Sequence, residues 1–207
     1  NDACDGGTYQ TAAGSSGSYS QNPTKDNWLD QNNPGRNNGA NTVLTTDGRT
    51  NQANRPLIQF AFTGIPSNAT VTNTNLRMVA TTVQNNTAFT INLHRITNAW
   101  DEGTANNNNG ISNWTVRVAP ATSWTTAGGD FNATVESSVS VSTTGTYNWT
   151  GGTMNTLIQN WLNGTNTNNG VLLKFTTENT GKEDKTFGSL NNATVANRPL
   201  LTFNWST

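Results

Sequence analysis

Few side chains here could make or break a covalent bond. His94 is the one histidine and Cys4 the one cysteine. Nucleophilic catalysis needs a base held within hydrogen-bond reach of the nucleophile. His94 falls at an outward position of the alternating stretch Phe89 to His94, with no acid identifiable beside it. A solvated imidazole is the simpler reading. Cys4 has no activating neighbour and can form no internal disulfide. Asp101 and Glu102 are adjacent carboxylates, but neighbours on a strand point to opposite faces. The two acids of a glycosidase must flank one bond. Zinc would need a His/Cys cluster. Calcium takes about six to eight oxygens, of which Asp26, Asp30 and nearby asparagines could supply a few. Loops of this composition are more often turns. The expectation is therefore a chain that is not an enzyme and holds no metal or cofactor, with calcium as the minor alternative.

Binding chemistry has better candidates. Sugars stack on exposed aromatic faces and accept hydrogen bonds from arginine and amides. Trp28, Trp124 and Arg117 are the best candidates for such a surface. Among the seven tryptophans, Trp114, Trp149, Trp161 and Trp205 fall at apolar-phase positions and read as core, leaving Trp28, Trp100 and Trp124 open.

The elements that position these residues are β-strands. Asn54-Arg55-Pro56-Leu57 recurs as Asn197-Arg198-Pro199-Leu200, and each copy runs into an apolar stretch, Leu57 to Phe62 and Leu200 to Trp205. Proline pushes the preceding residue into extended backbone and can itself begin a strand. The two tetrapeptides read as openings of neighbouring inner strands of one sandwich. Each arginine then lies just outside the core, where Asp26 or Glu102 could pair with Arg55 or Arg198. Alternation marks further strands around residues 76–81, 89–94, 114–118, 139–141 and 147–149. Met154, Leu157, Ile158, Trp161 and Leu162 instead follow helical spacing. They predict a short amphipathic helix over about 153–163, capped by Thr153 and ended by Gly164. Val171 to Phe175 is apolar on both faces, as a central strand covered by that helix would be. The predicted fold is all-β, a jelly-roll-like antiparallel β-sandwich with one helix. Residues 21–207 form the single domain, and 1–20 a flexible N-terminal arm.

Composition narrows the function. Charged residues make up 11% of the 207, against roughly 25% in ordinary domains. Asparagine, threonine and serine, at 35, 37 and 13 copies, take their place. A net charge of −1 argues against nucleic acid, which needs a basic face. No apolar run is long enough to span a membrane. The Asn1 start and the lysine-poor, Asn/Thr/Gly-rich make-up suggest an exported, processed chain. The eight Asn-x-Ser/Thr sequons match the number expected by chance for this composition, so they are no sign of glycosylation.

The order of parts resembles the DNRLRE-type domain of secreted and surface-anchored microbial proteins. The resemblance covers roughly residues 20–205. It rests on Arg55 to Pro66, on Leu93 to Glu102 with its Trp-x-Glu, on Asn148 to Phe175, and on Phe187-Gly188-Ser189 with the closing Arg198-Pro199. The string that names that family is absent. The resemblance implies a jelly-roll-like sandwich in a non-catalytic role; some relatives are carbohydrate-binding modules joined to enzymes that cut acidic polysaccharides such as alginate. A binder of acidic sugars should present several cations on one face, and this chain is poor in lysine. The reading favoured from sequence is an extracellular structural protein whose copies assemble into a filament or coat. An arm around Tyr9 and Tyr19 would then add a strand to a neighbouring subunit. The alternative is a module that binds a polysaccharide.

Overall fold

The computed structural model describes residues 14–207. Along the chain come β1 (Ser16–Gln21), β2 (Lys25–Asp30), β3 (Arg36–Asn37), β4 (Val43–Gly48), β5 (Asn54–Gln59), β6 (Thr70–Val83) and β7 (Phe89–Arg95). A long excursion follows with only short strands, β8 (Asn108–Asn109), β9 (Val116–Val118) and β10 (Thr122–Ser123). Then come β11 (Ser137–Val141), β12 (Gly145–Thr150), α1 (Gly152–Leu162), β13 (Val171–Phe175), β14 (Lys182–Gly188) and β15 (Leu200–Ser206).

The long strands form one antiparallel sheet that curls into two layers. One layer runs β1-β15-β6-β14-β4, with β12 on the second edge of β6. The other runs β5-β13-β7-β11, with β2 on the second edge of β5. Asp47 pairs with Asn54 and joins the layers through β4 and β5. The first Arg-Pro tetrapeptide lies inside β5 and the second leads into β15. The two strands sit in opposite layers, not side by side, and meet through Ile58, Phe60, Leu201 and Phe203 in one buried core. Burying side chains of this size contributes roughly 1.5–3 kcal/mol each.

Strand alternation sends Leu57 and Leu172 to the opposite face, away from that core. There the excursion 97–131 lays Trp100, Trp114 and Trp124 over them in a second cluster. The cover on β13 is therefore this loop layer; α1 lies elsewhere, against β6. Asparagine makes the loops buildable. Asn37 donates to the Glu102 and Ser112 carbonyls and accepts from the Gly39 and Ala105 N–H groups. Asn113 accepts from the Thr115 and Val116 N–H groups. Buried backbone groups need partners, and a neutral amide supplies both kinds without the cost of a buried charge.

The helix spans Gly152–Leu162, close to its sequence prediction, with Met154, Leu157, Ile158 and Trp161 buried. Its start differs: Gly151 is the N-cap, and no side chain caps it. Gly164 has φ +75 as a residue just past a helix end often does. Two amides one turn apart tie α1 to β6. The Gln159 side chain accepts from Val71 N–H and donates to the Ala69 carbonyl, and Asn155 Oδ1 accepts from Thr74 N–H. These are backbone groups of β6, and of Ala69 just before it, beyond the end of β12, which pairs only as far as Asn75. The helix thus supplies hydrogen bonds that a further strand would have made.

Residues 16–20, assigned from sequence to a free arm, lie in β1, paired with β15 of the same chain. Tyr19 is buried, stacks on Phe203 at 4.6 Å and donates its hydroxyl to the Ala61 carbonyl. It holds the sandwich together and is not available to a neighbour. Tyr9 and Cys4 lie outside the described residues. At the open corner, Ser15 N–H donates to Thr207 Oγ1 and Thr207 N–H to the Ser15 carbonyl.

Candidate functional site

A cleft of about 610 Å³ opens where β12 stops and α1 begins. Three features of the fold place it there. β12 ends at Thr150, and Gly151 (φ +124) turns the chain into the helix. Opposite Phe203, β6 bulges: Thr202 pairs with Asn75 and Asn204 with Thr72. Asn73 takes φ +55 at that bulge, a conformation asparagine tolerates better than most residues. The lining is Asn73, Thr74, Asn75, Asn148, Thr150 and Asn155 with the Gly151-Gly152 pair.

The chemistry of this lining is amide and hydroxyl throughout. Asn75 Nδ2 donates to Asn148 Oδ1 at 3.1 Å. That bond fixes both amides and leaves Asn148 Nδ2 as a donor on an exposed residue. Thr74 is 2% exposed, and its hydroxyl has no hydrogen-bond partner; neither has the buried Asn75 Oδ1. Buried polar groups are normally satisfied; these two oxygens are out of solvent's reach, so they mark an under-satisfied layer beneath the cleft and are not contact atoms for a ligand. The uncapped first turn of α1 adds N–H groups with no intrahelical acceptor. Two smaller clefts exist, one around Asn98, Asp130 and Phe131, the other around Thr72, Asn204 and Trp205. In the first, Asp130 already accepts from Asn98 Nδ2 and from the Thr125 and Thr126 N–H groups. These donors hold its carboxyl below the usual range even though burial pushes the other way.

The residues singled out from sequence do not converge on one surface. Trp124 is 5% exposed, and its Nε1 donates to the Asn113 carbonyl. Its ring is part of the second cluster and offers no face for stacking, because the excursion folds back over the sheet there. Trp28 is half-buried against the sandwich core, on the other side of its layer. Arg117 donates to the Ala99 and Ser123 carbonyls and so braces the excursion.

The expected ion pairs also differ. Arg55 binds Glu178 through Nε and Nη2 at 3.0 and 2.6 Å, donates to the Gly128 carbonyl and lies 4.9 Å from the Trp114 ring. Arg198 donates to the Asn192 carbonyl and, among the described residues, pairs with no acid. Glu102 accepts from Asp26 N–H, and Asp26 Oδ2 accepts from Leu190 N–H. The two carboxylates anchor backbone and meet no arginine. His94 is 5% exposed, not solvated. Its Nδ1 lies 3.0 Å from the Asn132 and Thr134 carbonyls and its ring 4.9 Å from Phe131. The outward face of β7 is covered by this loop layer. Burial holds the imidazole below its ordinary range. No group of three or more His, Cys, Asp or Glu among the described residues could hold a metal ion. Among the same residues, no helix is long and apolar enough to cross a membrane.

No curated protein matches this sequence. The family model for carbohydrate-binding module family 96 does match it, over residues 18–204. That span runs from within β1 to within β15 and takes in both layers, the loop cover and the cleft. On that match the chain belongs to carbohydrate-binding module family 96.

Proposed function

We propose that the chain is an extracellular, non-catalytic module that holds a polysaccharide in the cleft between β6, β12 and α1. Membership of a carbohydrate-binding family carries this reading. The cleft suits it, because hydroxyl groups both donate and accept and the Asn/Thr lining does the same. Self-assembly through an exchanged arm, the reading favoured from sequence, has no comparable support: β1 is already seated on β15 of its own chain.

Retention on a panel of immobilised polysaccharides tests the proposal. The wild-type protein should be retained by at least one polymer. Asn148 and Thr150 are both exposed, so Asn148→Ala/Thr150→Ala should fold normally. Losing two hydrogen bonds of roughly 1 kcal/mol each should weaken retention about tenfold or more. No retention on any polymer would end the reading. Undiminished retention of the double variant would move the site away from this cleft.

A further inference from the structure

We propose that Lys185 and Asn85 join in an intramolecular isopeptide bond, a covalent staple between β14 and the turn from β6 to β7. The cross-link belongs to the scaffold and is independent of glycan binding. A nucleophile, an amide and a carboxylate meet there in the order the reaction needs.

The nucleophile is the Lys185 amine. Lys185 is 0% exposed, in β14 between Thr46 of β4 and Val83 of β6. Its Nζ donates to the Asn85 main-chain carbonyl at 2.6 Å, lies 3.4 Å from Asn85 Oδ1 and sits 5.0 Å from the centre of the Phe89 ring. Among the described residues it forms no ion pair with a carboxylate. A buried ammonium without a counter-charge is costly, and such a group tends to neutralise. Burial holds this amine below its ordinary range, against the nearby charges of Glu183 and Asp184. Desolvation among apolar groups is one way a lysine becomes a nucleophile.

The electrophile is the Asn85 side-chain amide. Its carbon is one bond from Oδ1, so the amine stands at near-attack range. Oδ1 accepts from Thr87 N–H at 3.0 Å, a donor placed where negative charge would develop. Nδ2 donates to Glu183 Oε2, which puts a carboxylate on the leaving nitrogen. Gln84 N–H donates to the Asp184 carbonyl and holds the turn against β14. The step balances without any further reactant. The Nζ lone pair attacks Cγ, and the carbonyl electrons move onto Oδ1. Glu183 takes a proton from Nζ and passes it to Nδ2. The Cγ–Nδ2 bond breaks, ammonia leaves, and an amide joins Nζ to Cγ. The two residues are 100 positions apart. The bond would fasten β14 to the turn that carries the chain from one layer to the other.

Intact-mass spectrometry of the full chain tests this. The wild-type protein should weigh one ammonia less than its sequence. A protease digest should yield a branched peptide that joins the segments carrying Asn85 and Lys185. Lys185→Met removes the nucleophile and should show its full sequence mass. Glu183→Gln keeps an acceptor for Asn85 Nδ2 on a half-buried residue, so it serves even where Lys185→Met does not fold. It too should show its full sequence mass, with a melting temperature below that of the wild type. A wild-type chain at full sequence mass would overturn the proposal. So would a missing ammonia that persists in Lys185→Met or maps to other residues. A cross-link that survives in Glu183→Gln would overturn the proton transfer assigned to Glu183.

Discussion

Asp26 is 1% exposed, and its carboxyl is pushed up to about 7, by burial first and by nearby Glu102 second; the Leu190 N–H acts against both. A carboxyl with a raised folded-state pKa binds more protons in the fold than in the unfolded chain. Its contribution to stability is therefore lost as pH rises from about 4 to about 7. Urea midpoints measured across that window should show Asp26→Asn gaining on the wild type as pH climbs. Parallel curves would refute the assignment. His94 runs the other way: its depressed folded pKa removes stability as pH falls below its ordinary 6.5. Arg55 and Glu178 are 14% and 10% exposed at the side chain. Glu178→Gln strands a buried guanidinium and should cost about 3–5 kcal/mol in chemical unfolding. The sequence made Arg55 stand out but not its partner. Glu178 is 123 positions away, in a turn that no periodicity marks. Lys185 was hidden for a related reason. It stands in the charged stretch Lys182-Glu183-Asp184-Lys185, yet Lys185 is fully buried in β14, with its ammonium on the Asn85 carbonyl.

Elements with one apolar face were legible, because period two and period 3.6 are direct consequences of where Cβ points. The spacing of Met154, Leu157, Ile158 and Trp161 gave the helix nearly to the residue. Its attachment was harder to see. Asn155 and Gln159 lie one turn apart, but only the structure shows that they finish the hydrogen bonding of β6. Gln159→Leu keeps the bulk and leaves Val71 N–H and the Ala69 carbonyl unpaired. A loss of about 2 kcal/mol or more is expected, with faster amide exchange at Val71 as the local readout. Gly170 fixes the entry into β13. Its φ is +86, and a Cβ there would come 2.2 Å from the Ile58 carbonyl oxygen. Gly170→Ala should lower the melting temperature more than Gly164→Ala, since nothing lies within 4 Å of a Cβ at Gly164. The cover on the outer face of β13 could not be read. It is built by a loop excursion whose tryptophans follow no repeat.

For the molecule as a whole, closure depends on β1. It covers the outer edge of β15, and Tyr19 packs on Phe203 and Phe62. Deleting residues through Gln21 should lower the melting temperature and cause aggregation, because an unpaired apolar strand edge recruits other chains. The sandwich itself was legible from the alternating strands, but the twin Arg-Pro openings, read as neighbours, lie in opposite layers. The candidate cleft was not, since it arises where a bulge, a strand end and a helix start converge. One further consequence follows from the hydrogen bonds between Ser15 and Thr207. The backbone arrives and departs at a single corner, so within a longer polypeptide this domain would hang from its tether like a pendant and add almost nothing to the contour length. Tension on both flanks would peel β1 from β15 one rung after another, as a zipper opens. The fold should thus yield at low force, its weakest seam at the point of attachment.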